Sequence, residues 1–269
     1  MTITNARIVM ACAAAVVVLT ACSQAGNDGK AGASSEAAAP AASSGAVVLE
    51  ARPDIREGVQ ALPRLAGDTP AVAAINADID RINADTAGCE GPGTYTRFAT
   101  LPMTGPGYVT VAIRDEYYCD EAARPSFDYT AITYDLSSGQ RMDWTTAAPG
   151  LRATRSAVEG MPASYEPALQ SENLAELYAR KMLASTDAEW LGECRELFTE
   201  EMLADGFFKV WLDAQTGGLA VSADFPHVAQ ACAETATLNE EEMRRFGVTP
   251  AIIEAVLAAT AAENFGPKG

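Results

Sequence analysis

The chain has 269 residues, 48% of them hydrophobic, and a formal charge of −17. So acidic a balance disfavours nucleic-acid binding, because phosphate contacts need basic patches. It mainly serves solubility, while leaving a cationic partner open.

Residues Met1 to Ala21 carry one charge, Arg7, followed by an apolar run from Ile8 to Leu19. The run is shorter than the ~20 residues a spanning helix needs. A short charged start, an apolar middle and small residues at the cut are the layout of a secretory signal. The string Leu19-Thr20-Ala21-Cys22 resembles the lipobox of bacterial lipoproteins. That resemblance implies cleavage before Cys22 and a diacylglycerol on its sulfur, hence a membrane partner through the lipid. Ser23 after the cysteine implies the outer membrane rather than retention at the inner one. Loss of Arg7 with the signal would take the charge from −17 to −18. The segment from Cys22 to Gly45 is rich in Ala, Gly and Ser, the composition of a flexible tether.

The folded part is expected from Ala46 to Gly269, with room for two subdomains meeting near 125–150. Val47 to Glu50 reads as a short strand. Thr69-Pro70 starts a helix, with a capping residue before proline and Val72, Ile75, Ile79 and Ile82 at helical spacing. Gly91-Pro92-Gly93 reads as a turn, as does Gly105-Pro106-Gly107. Val109, Val111 and Ile113 then alternate with polar or small residues as a strand, and Phe127 to Leu136 is a second. Ser137-Ser138-Gly139-Gln140 turns the chain into a third, Arg141 to Trp144, completing an expected antiparallel meander.

Glu172 to Leu183 and Asp187 to Leu203 read as helices, the second capped by Asp187. Phe208, Val210 and Leu212 alternate as a strand that turns at Asp213 to Gly218 and returns through Leu219 to Val221. Cys232 to Thr237 reads as a short strand. Asn239 and Glu242 have the spacing of a capping box, and Thr249-Pro250 starts the last helix. The predicted class is α+β, an antiparallel sheet with helices packed on one face.

Four cysteines lie in the folded part. An even number in an exported chain reads as disulfides, with three connectivities open. Cys89–Cys119 and Cys194–Cys232 are the favoured pairs, each lying within one half of the chain. No Cys-x-x-Cys spacing exists and His227 is the single histidine, so no metal or cofactor is expected.

Catalytic signatures are sparse. The sequence holds no Gly-x-Ser-x-Gly, no Ser-x-x-Lys and no phosphate-binding glycine loop. His227 reads as a structural or surface residue. Asp115 and Glu116, with Asp120 and Glu121, give an alternative as paired carboxylates of a wall hydrolase. Glu240, Glu241 and Glu242 fit the positive end of a helix dipole. Of the three tryptophans, Trp190 sits on an apolar helix stripe. Trp211 has the parity opposite to Phe208, Val210 and Leu212, so it faces away from their core with Lys209 and Asp213. Trp211 is then either under a helix or exposed for binding, and in the second case it is the candidate ligand contact, joined by Asp213.

The order of features resembles a known extracytoplasmic domain. It comprises Ala74-Ile75-Asn76 in the first helix, Ala122-Ala123-Arg124-Pro125, the hairpin Tyr134-Asp135-Leu136-Ser137-Ser138-Gly139-Gln140, Trp211 to Val221, and an aromatic-Pro segment before Cys232. Lysozyme-sensing anti-sigma factors share this domain with the non-catalytic N-terminal part of some peptidoglycan deacetylases. Where that family has Gly-Gly-Ala-His-Pro, this chain has Glu121-Ala122-Ala123-Arg124-Pro125, without the histidine. The resemblance implies an α+β ligand-binding module over Ala46 to about Gly247. The expected function is a non-enzymatic envelope lipoprotein that binds cell-wall glycan (peptidoglycan) or a lysozyme-like protein. A structural envelope component with a protein partner is a further alternative.

Overall fold

Two antiparallel sheets packed face to face organise the protein, each carrying helices on its outer side. The computed structural model describes residues 45–86, 89, 92–120, 125–155, 165–226 and 228–267. All fall within the unit Ala41–Gly269. The signal segment, Cys22, the tether up to residue 44, residues 121–124 and His227 lie outside the described residues.

A two-stranded ribbon, β1 (Leu49–Glu50) and β2 (Arg64–Leu65), precedes helix α1 (Pro70–Ala84). Thr69 caps α1 by accepting from the Val72 N–H at 3.2 Å, as the Thr-Pro start requires. Its Ile75, Ile79 and Ile82 are fully buried against the first sheet. That sheet joins β3 (Gly93–Thr104), β4 (Tyr108–Cys119) and β5 (Ser126–Asp135) in sequence order. Val109, Val111, Ile113, Ile132 and Tyr134 form the face under α1. Asn76 and Asn83 of α1 accept from and donate to the backbone of Leu65 and Leu62, fixing the ribbon to the helix.

The meander therefore differs from the expected one. Its third strand is β3, not Arg141 to Trp144. Arg141 makes one isolated bridge to Tyr134, and Asp143 then caps helix α2 (Trp144–Ala147) by accepting from the Thr145 N–H at 3.0 Å. A residue committed to an N-cap starts a helix rather than extending a ladder.

The second sheet has five strands in the order β10-β9-β8-β7-β6. They are β6 (Thr154–Arg155), β7 (Leu169–Gln170), β8 (Phe207–Asp213), β9 (Gly218–Ala223) and β10 (Ala236–Leu238). Cys232 itself lies in a 3₁₀ turn, Gln230–Cys232, and the expected strand begins only at Ala236. Phe208, Val210, Leu212, Leu219 and Val221 face the main core. Helix α3 (Glu172–Leu183) supplies Leu174, Leu177 and Tyr178 to it. Helix α7 (Pro250–Ala261) supplies Ile252, Ile253 and Val256.

The helix expected over Asp187 to Leu203 is broken. It comprises α4 (Ala188–Cys194), a 3₁₀ turn (Arg195–Phe198) and α5 (Glu200–Ala204). Thr199 has an extended backbone and caps α5 by accepting from the Met202 N–H, so the helix restarts there. The last cap is the expected one: helix α6 (Glu240–Arg245) has a capping box closed by Asn239 and Glu242.

Both favoured disulfides are formed, Cys89–Cys119 across 30 residues and Cys194–Cys232 across 38. They suit an oxidising compartment. No helix among the described residues is long and apolar enough to cross a membrane.

Candidate functional site

The inner faces of the two sheets carry unequal side chains. Ladder rows on the three-stranded sheet run from Thr110–Thr133, through Thr100–Ala112–Ala131, to Phe98–Arg114–Tyr129 and Glu116–Phe127. On the opposing sheet, Trp211 pairs with Ala220 and Lys209 with Ser222. The sheets meet where the side chains are small: Ala112, Ala131 and Ala220 pack together with Trp211. At that end the Leu212 N–H donates to the Thr133 hydroxyl at 3.1 Å, and the Ala214 N–H to the Pro102 carbonyl at 2.9 Å. Toward the larger rows the faces part, leaving a cleft of about 670 Å³. That volume lies in the range of small-molecule sites.

Phe98, Arg114, Phe127 and Tyr129 form one wall of the cleft; Lys209, Trp211 and Asp213 form the other. Residues Gln230 to Glu234 contribute to its rim. Arg114 donates to Glu116 at 2.7 Å and lies 4.4 Å over the Phe127 ring, so its charge is partnered and held over an aromatic face. The Lys209 ammonium reaches Asp128 at 2.8 Å and Asp224 at 2.9 Å. Burial works against its charge, but these two carboxylates prevail and raise its pKa. A second recess of about 290 Å³ adjoins the cleft, sharing Phe127, Lys209 and Gln230 and reaching Tyr165 and Glu166.

Trp211 is placed as its parity requires, on the face of β8 opposite the main core. It is covered by the neighbouring sheet rather than by a helix. The residue is 1% exposed and its ring lies 5.3 Å from that of Tyr129, yet it lines the cleft. Its Nε1 is buried without a hydrogen-bond acceptor among the described residues. Asp213 also lines the cleft, while its carboxylate accepts from the N–H groups of Gln215 and Thr216 in the β8–β9 turn. Burial pushes the Tyr129 phenol well above its ordinary range, and the Asp213 charge adds to the shift.

Of the other carboxylates singled out in the sequence, Asp115 and Glu116 do not converge, and Glu121 lies outside the described residues. Asp115 is buried against Arg97 and accepts from the Tyr95 hydroxyl at 2.7 Å, whereas Glu116, next along the strand, points to the opposite face with Arg114. Glu240 pairs with Arg244 one turn along α6, and Glu242 closes the capping box. Trp190 packs against Phe198 and Trp144 is buried in the main core. Among the described residues no group of three His, Cys, Asp or Glu could hold a metal ion.

The aromatic wall opposite Trp211 was not identified from sequence. Its one local signal is the shared parity of Phe127 and Tyr129 on β5, opposite to the core residues Ile132 and Tyr134.

No family model matches the sequence, and no curated protein matches it. Among solved structures the chain is similar to a DUF3298 family protein from Pseudomonas aeruginosa PAO1, at 15% identity and a TM-score of 0.38. The match covers 60% of this chain and 64% of that one, so the chain spans less than two thirds of that protein's length.

Proposed function

We propose that this protein is a non-enzymatic binding lipoprotein of the cell envelope, and that its inter-sheet cleft takes a segment of cell-wall glycan. Lipid on Cys22 anchors it at the outer membrane, and the segment from Cys22 to Gly45 tethers the binding domain to that surface. The observation that carries this reading is the cleft itself, about 670 Å³ with Phe98, Phe127, Tyr129 and Trp211 among polar groups. Aromatic faces pack on the apolar faces of sugar rings, and carboxylates and amides meet the hydroxyls.

The test is co-sedimentation of the full chain, kept soluble in detergent, with purified peptidoglycan sacculi. Phe98 is 39% exposed, so Phe98→Ala removes a cleft aromatic with little effect on the core. It should weaken retention about tenfold, in the range of losing one well-placed aromatic contact. Retention equal to that of the parent removes the cleft from the assignment, and absence of any retention removes the wall-binding function.

A lysozyme-like protein is the second reading, favoured by the charge of −17. Opposite charge steers association but is screened over ~8 Å at physiological salt. One-to-one binding to lysozyme that survives added salt, with no retention on sacculi, would favour this reading over the glycan.

A further inference from the structure

Trp211 combines two properties that rarely coexist without a reason. It is among the largest fully buried side chains, and its indole N–H has no acceptor among the described residues. A buried donor left without a partner costs free energy that a bound acceptor recovers. Trp211 lines the cleft, so an acceptor arriving with a ligand is the available remedy. Its surroundings narrow the chemistry of that acceptor. Ala112, Ala131, Ala220 and the Tyr129 ring pack around the indole, and of these Tyr129 lines the cleft, with Phe98 and Phe127 nearby. A neutral group with an oxygen acceptor beside a small apolar end suits them; an anion does not, because the cations of the cleft are already paired, Arg114 with Glu116 and Lys209 with Asp128 and Asp224, and Asp213 lines it too.

Resting on the proposed glycan-binding role of the same cleft, we infer that the cleft selects an N-acetylated sugar, whose acetamido carbonyl accepts from Trp211 Nε1 while its methyl packs against the Tyr129 ring. The acetamido group is uncharged, ends in a methyl and carries one strong carbonyl acceptor. A plain glucose unit has hydroxyls only and leaves the indole unpaired. The covering side chains must yield for the carbonyl to reach Nε1, and the partly exposed Tyr129 ring is the one in contact with the indole.

The experiment is titration calorimetry of the full chain in detergent with chitotetraose, cellotetraose and a blocked alanine tetrapeptide. The expected result is chitotetraose binding about tenfold tighter than cellotetraose, the effect of one satisfied hydrogen bond. Trp211→Phe keeps an aromatic side chain and removes the N–H, and should bring the two sugars to equal affinity. A preference that survives Trp211→Phe overturns the inference. Equal affinity of the unmodified protein for both sugars does so too, leaving the wall-binding function intact if sacculi are still retained. Binding of the tetrapeptide in place of the acetylated sugar overturns it as well. A readout that does not depend on the variant folding is the indole ¹H–¹⁵N spectrum of the unmodified protein, which has three tryptophans. One of the three signals should move downfield with chitotetraose and stay in place with cellotetraose; no movement with chitotetraose overturns the inference.

Discussion

Arg97 and Asp115 occupy paired positions on β3 and β4 and meet in a two-point ion pair, Nε to Oδ1 at 2.7 Å and Nη2 to Oδ2 at 2.9 Å. The Arg97 side chain is fully buried, and its remaining donors reach the carbonyls of Ile82 and Asp85 at the end of α1. The pair therefore joins the last turn of the helix to the sheet beneath it. Replacing Asp115 with Ala leaves a buried guanidinium without its counter-charge, expected to cost about 3–5 kcal/mol. Urea unfolding of the variant checks this, and a loss under about 1 kcal/mol would show the pair to be dispensable.

Asp78 and Glu166 flank Arg141 and titrate with opposite signs. Burial disfavours the Asp78 charge, but hydrogen bonds from Arg141 and Tyr134 outweigh it and hold the carboxyl below its usual range. Its contribution is present above the unfolded pKa of ~3.9 and is lost as pH falls through the folded value. Burial instead pushes the Glu166 carboxyl up, against Arg141 and Arg155. Stability therefore declines as pH rises from ~4.3 through the folded pKa of Glu166. Urea midpoints of Glu166→Gln should lose that decline, and those of Asp78→Asn should lose the fall at the acid end. Slopes equal to the parent's in both variants would contradict the assignment.

Gly218 opens β9 beside β10. A Cβ there would stand 2.0 Å from the Leu238 carbonyl oxygen and 2.9 Å from Thr237 Cγ2. Both belong to the partner strand, so relief requires the β9–β10 ladder to move. Gly218→Ala should lower stability by at least about 2 kcal/mol, the scale of overpacking at a rigid site. Thermal unfolding followed by circular dichroism measures it; a melting temperature equal to the parent's would be the contrary result.

The Cys194–Cys232 bridge closes a 38-residue loop that ties α4 to the turn before β10. Chain entropy gives such a loop about 4 kcal/mol. The double Cys194→Ser, Cys232→Ser variant should lose most of it in urea unfolding. A midpoint unmoved by the substitutions would place the stability of this region in its packing alone.

Elements marked by caps were legible in the sequence. Thr69-Pro70, Asp187 and Asn239 each announce a helix that the structure contains. Strand β3 was not, because Arg97 occupies a buried position where periodicity calls for an apolar residue, and a bulge between Thr100 and Met103 shifts the register. The charge is tolerated there only because Asp115 sits across the ladder, a compensation invisible to local pattern. The site divides in the same way. The parity of β8 singled out Trp211, since alternation is a property of one strand. Phe98, Tyr129 and Trp211 meet only through the packing of two sheets, and no spacing along the chain encodes that distance.

The three alanines between the sheets have a mechanical consequence. They act as the apex of a wedge: the layers nearly touch at Ala112, Ala131 and Ala220, and the gap widens from there toward Phe98 and Phe127. A single added methyl group at the apex would work as a shim, spreading the far rim while leaving the identity of every lining residue unchanged. Aperture and chemistry are thus adjustable at separate positions of the chain, so cargo size can drift in evolution without any change in the groups that touch it.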